Sequence, residues 1–283
     1  MNPESTPDAI EIELKFAVRD VEVDQVQAVL PSSAHCLHTR TLANRYFDTA
    51  DGRLHASGVA IRTRSVESTH EMTVKIREPD EGGLTRRKEW NLPVAVPELD
   101  RDQLMQLPLP NLVRDLVQTD RLQVAFENTL RRTDWRVQWG ACDAMVSLDL
   151  GEVRTKDSQS LVSEIEIESL AGPVSDLIDL GLEIADRLPC FMGVISKAER
   201  GERLLRHADP QADDDPTTET GWLYRMSRML DPLAGPSPKE AIRALAHCAP
   251  EAVVARFEPL LSQGLLPPGL GRWMLLRSLE GTA

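Results

Sequence analysis

The chain has 283 residues, of which 41% are hydrophobic and 27% charged, a balance that fits one large globular domain, or one domain with a small appendage, and excludes a wholly disordered chain. Acidic residues outnumber basic ones 45 to 32, for a formal net charge of −13; general affinity for a phosphate backbone needs the opposite surplus, so no nucleic-acid partner is expected. No apolar run is long enough for a bilayer, Met1 to Asp8 lacks the marks of a secretion signal, and Cys36, Cys142, Cys190 and Cys248 form no C-x-x-C pair, so the expectation is a cytoplasmic protein with reduced thiols and no membrane partner.

In chain order, period-two alternation predicts strands over 10–17, 40–47, 58–65, 70–78, 84–92, 123–139, 143–153 and 160–169. Helical spacing falls between them at Val21 to Leu30, with Asp20 as its cap, at Arg101 to Gln118, interrupted by prolines, and at Val174 to Leu188. Ser196 to Leu205 follows, with Ser196 and Glu199 at the spacing of a capping box. The stretch Asp209 to Gly221, DPQADDDPTTETG, joins poor core formers to prolines and acidic residues and reads as a linker. Beyond it, Pro238 behind Ser237 and apolar residues at helical spacing from Ile242 to Leu261 predict three or four short helices. His247 lies there without partners at metal-binding spacing and reads as an ordinary surface or core histidine. The division is thus 1–208, a linker at 209–220, and a helical segment at 221–283.

The second face of the strands carries the chemistry. In Ile10 to Phe16 the apolar set Ile10, Ile12, Leu14 and Phe16 lies opposite Glu11, Glu13 and Lys15, and the same split recurs in Ile61 to Arg64, Met72 to Arg77 and Glu164 to Glu168. Thr85, Arg87, Glu89 and Asn91 continue it on a fifth strand. A sheet with one solvated face would also carry charges, but here carboxylates concentrate on the first and last strands and cations on the middle ones. Such segregation suits a bound charge between them: carboxylates take a hard cation such as Mg²⁺ or Mn²⁺, and arginines grip phosphate oxygens. Eight strands can close into a barrel with a charged lumen and an apolar outer face covered by helices.

These motifs resemble those of the CYTH superfamily, the triphosphate tunnel metalloenzymes. Glu11-Ile12-Glu13-Leu14-Lys15 resembles its E-x-E-x-K opening, Tyr46 to Thr49 its Y-F-D-T stretch, Ile61 to Arg64 its L-R-x-R strand, Thr73 to Lys75 its T-x-K strand and Arg87 to Glu89 its R-x-E strand. Arg132 stands three before Trp135, Leu148 to Gly151 resembles the D-x-G element, Glu164 to Glu166 the second E-x-E, and Ser196 to Gly201 the terminal S-K-x-x-R-G helix. The likeness covers about residues 8–206. It implies an α+β fold, an eight-stranded antiparallel tunnel with flanking helices, here followed by a short all-helical segment. It also implies that Glu11, Glu13, Asp149, Glu164 and Glu166 hold one or two Mg²⁺ or Mn²⁺ ions. Lys15, Arg62, Arg64, Lys75, Arg87, Arg132, Lys197 and Arg200 would bind phosphate, with Lys197, Glu13 and Glu166 as the catalytic residues. Glu168 would be a ligand or lie at the rim, and Glu89 would order the arginines.

The activity implied is metal-dependent hydrolysis of a phosphoanhydride, without a covalent nucleophile. By parity Trp90, Trp135 and Trp139 face outward, which leaves no base-stacking platform and favours inorganic tripolyphosphate as the substrate. Thiamine triphosphatase, nucleoside triphosphatase or adenylyl cyclase activity, or a non-catalytic polyphosphate or nucleotide sensor, are the alternatives. The nearest likeness is to bacterial inorganic triphosphatases, with Leu130 in place of an aromatic residue. The histidine-bearing CHAD domain that often follows in that group has no counterpart in the short segment here, which is left to pack on the barrel, cap a mouth or form a homodimer contact.

Overall fold

The computed structural model describes residues 9–77, 83–119, 122–206, 216–231 and 237–280. Its strands are β1 (Ala9–Val18), β2 (His35–Asp48), β3 (Val59–Val66), β4 (Thr69–Arg77), β5 (Leu84–Val94), β6 (Gln123–Trp139), β7 (Cys142–Arg154), β8 (Gln159–Ala171) and a short β9 (Cys190–Met192). Eight of them run antiparallel in the order β5-β4-β3-β2-β6-β7-β8-β1, and β1 also pairs with β5, so the sheet closes on itself. β9 adds only to the end of β1, at Phe16 to Val18.

All eight predicted strands fall on the barrel, because strict alternation leaves one apolar side to cover. Two outer clusters do this, and a third packs on the end of β1 and on β9. Helices α1 (Val23–Val29) and α5 (Val174–Arg187) lie over Leu14, Phe16, Trp135, Val146, Ile165 and Ile167. The four-residue α2 (Arg53–Ala56), with α3 (Arg101–Gln106) and α4 (Asn111–Thr119), covers Ile61, Met72, Val74 and Trp90. After α6 (Lys197–Arg206), the C-terminal helices α7 (Glu219–Leu230), α8 (Pro238–Cys248), α9 (Glu251–Leu261) and α10 (Leu270–Glu280) form a third cluster that includes Ala17, Phe191 and Met192. Burial of whole Leu, Phe or Met side chains contributes about 1.5–3 kcal/mol each, so this shared core binds the tail firmly to β1 and β9. Gly271 allows a close approach: a Cβ there would lie 2.5 Å from Cys190 Sγ.

Several local expectations are corrected. Asp20 does not cap α1; it takes a left-handed turn (φ 49°), and the helix opens at Glu22, whose backbone N–H donates to Gln25 Oε1 at 2.8 Å. The prolines Pro108 and Pro110 split Arg101 to Gln118 into two helices, the first capped by Asp100. α7 begins at Glu219, so the last two residues of the predicted linker are helical; Asp209 to Asp215 lie outside the described residues, as does Glu78 at the end of the predicted fourth strand. His247 stacks on Trp222 with ring centroids 4.0 Å apart. No helix among the described residues is long and apolar enough to cross a membrane.

Candidate metal and phosphate site

Closure turns the sign pattern of the sequence into two walls. β7, β8 and β1 are neighbours and bring Asp149, Glu164, Glu166, Glu168, Glu11 and Glu13 together; β3, β4 and β5 are neighbours and bring Arg62, Arg64, Lys75 and Arg87, while Arg132 comes from β6. The register sets opposite signs side by side where the walls meet: Glu11 is opposite Arg87, and Arg132 opposite Asp149. Between the walls is a cavity of about 630 Å³. Lys15, Arg62, Arg64, Lys75, Arg87, Arg132 and Lys197 line it, as do Glu11, Glu89, Glu166 and Glu168.

At the acidic wall, Asp149, Glu164 and Glu166 bring one oxygen each within 4.8 Å of one another. The Lys197 ammonium sits among them, 2.8 Å from Asp149 Oδ2 and 2.8 Å from Glu166 Oε1, and also donates to Glu164. Arg132 forks onto Asp149 at 2.7 and 2.6 Å and reaches Glu166 at 2.6 Å. Burial would raise the pKa of Asp149 and Glu166, but Lys197 and Arg132 outweigh it and hold both below the usual range. At Glu164 burial wins and the pKa goes up, although Lys197 opposes it.

The other carboxylates form a second group. Lys75 donates to both oxygens of Glu11 at 2.7 Å and lies 2.9 Å from Glu89 Oε2. Burial pushes Glu11 up to about 7 against the pull of Lys75, whereas at Glu89 burial is overcome by Lys75 and Arg62, which bring it down to about 2. Glu13 is buried behind them, with Thr85 Oγ1 and Arg87 Nη1 each 3.2 Å from its Oε1. Burial raises Glu168 as well. The five predicted ligands are therefore divided between the Lys197 group and the Lys75 group. Their donor chemistry, all carboxylate oxygen, fits a hard divalent cation, with Asp149, Glu164 and Glu166 the closest-knit set.

The remaining arginines have neutral partners. Arg64 Nε donates to Asn44 Oδ1 at 2.9 Å, Arg62 bonds the Tyr46 hydroxyl, and the buried Arg62 Nε has no hydrogen-bond partner. Burial, with Arg62 and Arg132 close by, drives the Arg64 pKa down to about 9. Cations pressed together in this way favour an anion with several oxygens.

Two expectations need correction. The lumen is not charged throughout: Leu42, Tyr46, Phe126, Leu130, Val153 and Val162 fill part of the barrel, with Ala198 and Leu204 of α6 packed against them. Nor does Arg200 reach the cavity. Its guanidinium is buried in a fork onto Asp231, at 2.7 Å for both bonds, and donates to Ser160 Oγ at 3.1 Å. Gly201 beside it touches the Phe126 ring, and α6 could not lie so close with a side chain there. Tyr46 is a cavity-lining residue to which no role was assigned from sequence. Burial raises its pKa, but Arg62 and Lys197 outweigh that and lower it. Its place in the Y-F-D-T stretch was the available signal.

The CYTH domain family matches residues 9–200. A curated relative, the inorganic triphosphatase of Haemophilus influenzae, is 28% identical over 197 residues, which is 69% of this chain and 54% of the relative. The chain thus spans about half the length of that relative. Among solved structures, a Hippeastrum protein described as an adenylyl cyclase candidate with a dominant triphosphatase activity is 21% identical, covering 68% of this chain and 95% of its own, with a TM-score of 0.46. A Pyrococcus horikoshii protein is 16% identical, covering 62% and 89%, with a TM-score of 0.38.

Proposed function

The chain belongs to the CYTH family, and from that premise we propose that it hydrolyses inorganic tripolyphosphate to pyrophosphate and phosphate with Mg²⁺ or Mn²⁺ in the barrel. One observation carries the reading: Arg62, Arg64 and Arg132 line one cavity together with Glu166, which belongs to the close carboxylate group of Asp149, Glu164 and Glu166. The 28% identical relative bears the name inorganic triphosphatase, which supports it.

Asp149, Glu164 and Glu166 would hold the cation, with Glu11 and Glu13 as further ligands. When bound, a divalent ion neutralises phosphate oxygens and lowers the pKa of water. Arg62, Arg64 and Arg132 grip the phosphates, aided by Lys15, Lys75 and Arg87, and the fixed cations take up charge that spreads over the oxygens in the transition state. Lys197 then has two tasks: it offsets the triad, and it donates to the phosphate oxygens. Glu13 and Glu166 orient the water. Its oxygen bonds to the terminal phosphorus while the bridging P–O bond breaks, one of these carboxylates takes the proton that the water loses, and pyrophosphate leaves.

Among the described lining residues, Tyr46 is the aromatic one besides His55, and its ring already stacks on Phe126 at 4.6 Å. Trp90 and Trp135 are packed in the outer clusters. Little is left to stack on a base or a thiazole, which favours a substrate that is phosphate throughout. The test is phosphate release from tripolyphosphate, pyrophosphate, ATP and thiamine triphosphate, with Mg²⁺ or Mn²⁺ and a Glu13→Ala control. Release from tripolyphosphate alone, lost in the control, is the expected result. Tight binding without release would identify a sensor, and cyclic AMP from ATP would identify a cyclase.

A further inference from the structure

α6 is held from two directions. On one side Lys197 lies among Asp149, Glu164 and Glu166. One turn further, Arg200 points away from the cavity and into the fork with Asp231, the residue that ends α7. Both side chains are almost wholly buried, 4% and 6% exposed. The third contact, Ser160, comes from β8, the strand that also supplies Glu164 and Glu166.

Asp231 is itself firmly placed. Its backbone N–H bonds to the Ser227 and Arg228 carbonyls at 3.1 and 3.3 Å. Ser227 Oγ donates to the Met192 carbonyl on β9, and Arg19, just past β1, donates to the Leu230 carbonyl. Trp222, Leu223, Met226 and Leu230 share a core with Ala17, Phe191 and Met192. A continuous set of contacts thus runs from the C-terminal helices through Asp231 and Arg200 to the helix that carries Lys197.

A buried ion pair contributes little net stability against an apolar substitute, yet is costly to break from one side. Its most evident consequence here is directional, since a two-pronged fork fixes the rotation of the helix as packing alone would not. We infer that Asp231 is a positioning residue for the tunnel: by gripping Arg200 it holds α6 in register and keeps the Lys197 ammonium on the triad, so that the C-terminal helices complete the site without touching substrate. The catalytic consequence rests on the hydrolytic reading above; the structural one does not.

The test uses the full chain with Asp231→Asn, a near-isosteric change that removes the charge. Amide exchange in peptides covering Lys197 to Arg206 should quicken about tenfold or more, with α5 and β6 unchanged. For tripolyphosphate, kcat should fall about tenfold while KM stays within about threefold, because Arg62, Arg64, Lys75 and Arg132 are mounted on strands and do not depend on α6. Asp231→Glu, which keeps the charge, should recover much of both. Unchanged exchange in α6, or equal quickening throughout the barrel, would overturn the inference, as would kcat and KM both within twofold of the parent chain. If Asp231→Asn does not fold, Arg200→Lys, which keeps the charge but loses the fork, serves in the same comparison, and unchanged α6 exchange would again overturn it. If the parent chain releases no phosphate, the hydrolytic reading fails, and the exchange measurement still decides for or against the clamp.

Discussion

Gly201 lies directly against the ring of Phe126, so close that a Cβ on the glycine would overlap three ring carbons. Gly201→Ala in a helix interior would ordinarily stabilise by about 0.5–1 kcal/mol. Here the contact reverses the sign, and overpacking should cost about 1–3 kcal/mol. The expected result is a Tm lowered by several degrees in a thermal melt, with reduced turnover because α6 and Lys197 are displaced together.

Glu166→Gln keeps the shape of a residue that pairs with both Arg132 and Lys197. It removes one negative charge from the triad, so the metal concentration for half-maximal activity should rise and kcat/KM should fall by about 100-fold or more. Circular dichroism should be unchanged. Activity within twofold of the parent chain would remove Glu166 from the site.

Arg64 is crowded by Arg62 and Arg132, with its pKa lowered to about 9. Burial and like charge make its guanidinium a cost to the fold while no anion is bound. Arg64→Ala should therefore leave the melting temperature of the metal-free protein unchanged or higher, while weakening tripolyphosphate binding by about tenfold or more. Calorimetric titration checks the second effect.

A chain ending at Arg206 would lose the cover over Ala17, Phe191 and Met192. Large buried apolar side chains contribute about 1.5–3 kcal/mol each, so the truncated protein should bind a hydrophobic dye and melt about 10 °C lower or fail to stay soluble. A soluble, fully active truncation would mean that the tail is a separate appendage.

Much of the barrel was legible because its alternation is strict. From β1 to β8 the apolar side chains face outward wherever the charges face in, and the motifs fall at matching positions. β9 and α2, with three and four residues, are too short to show a period. The apolar filling of the lumen was hidden for another reason: Leu130 has the same strand parity as Arg132, and Val162 the same as Glu164, so alternation assigns them a face without saying where along the barrel the charge stops. Arg200 misled because it sits one turn from Lys197 in a site motif. Its partner Asp231 lies beyond the acidic segment, and no periodicity links the two.

β1 forms the seam of the barrel, pairing with Glu89 to Leu84 on one side, and with Glu168 to Glu164 and then Met192 to Cys190 on the other. It is synthesised before both its neighbours, and its last partner follows by well over a hundred residues. Long-range pairing of this kind is slow, because loop closure must be met before contacts reward it. Until β8 and β9 have been synthesised, β1 has only β5 to pair with, and Leu14 and Phe16 lack Ile165, Ile167 and Cys190 of their core. The barrel therefore closes late, and a nascent chain stalled before residue 164 would hold all its strand cations without Glu164, Glu166 and Glu168, a species open to stray anions and to aggregation during synthesis.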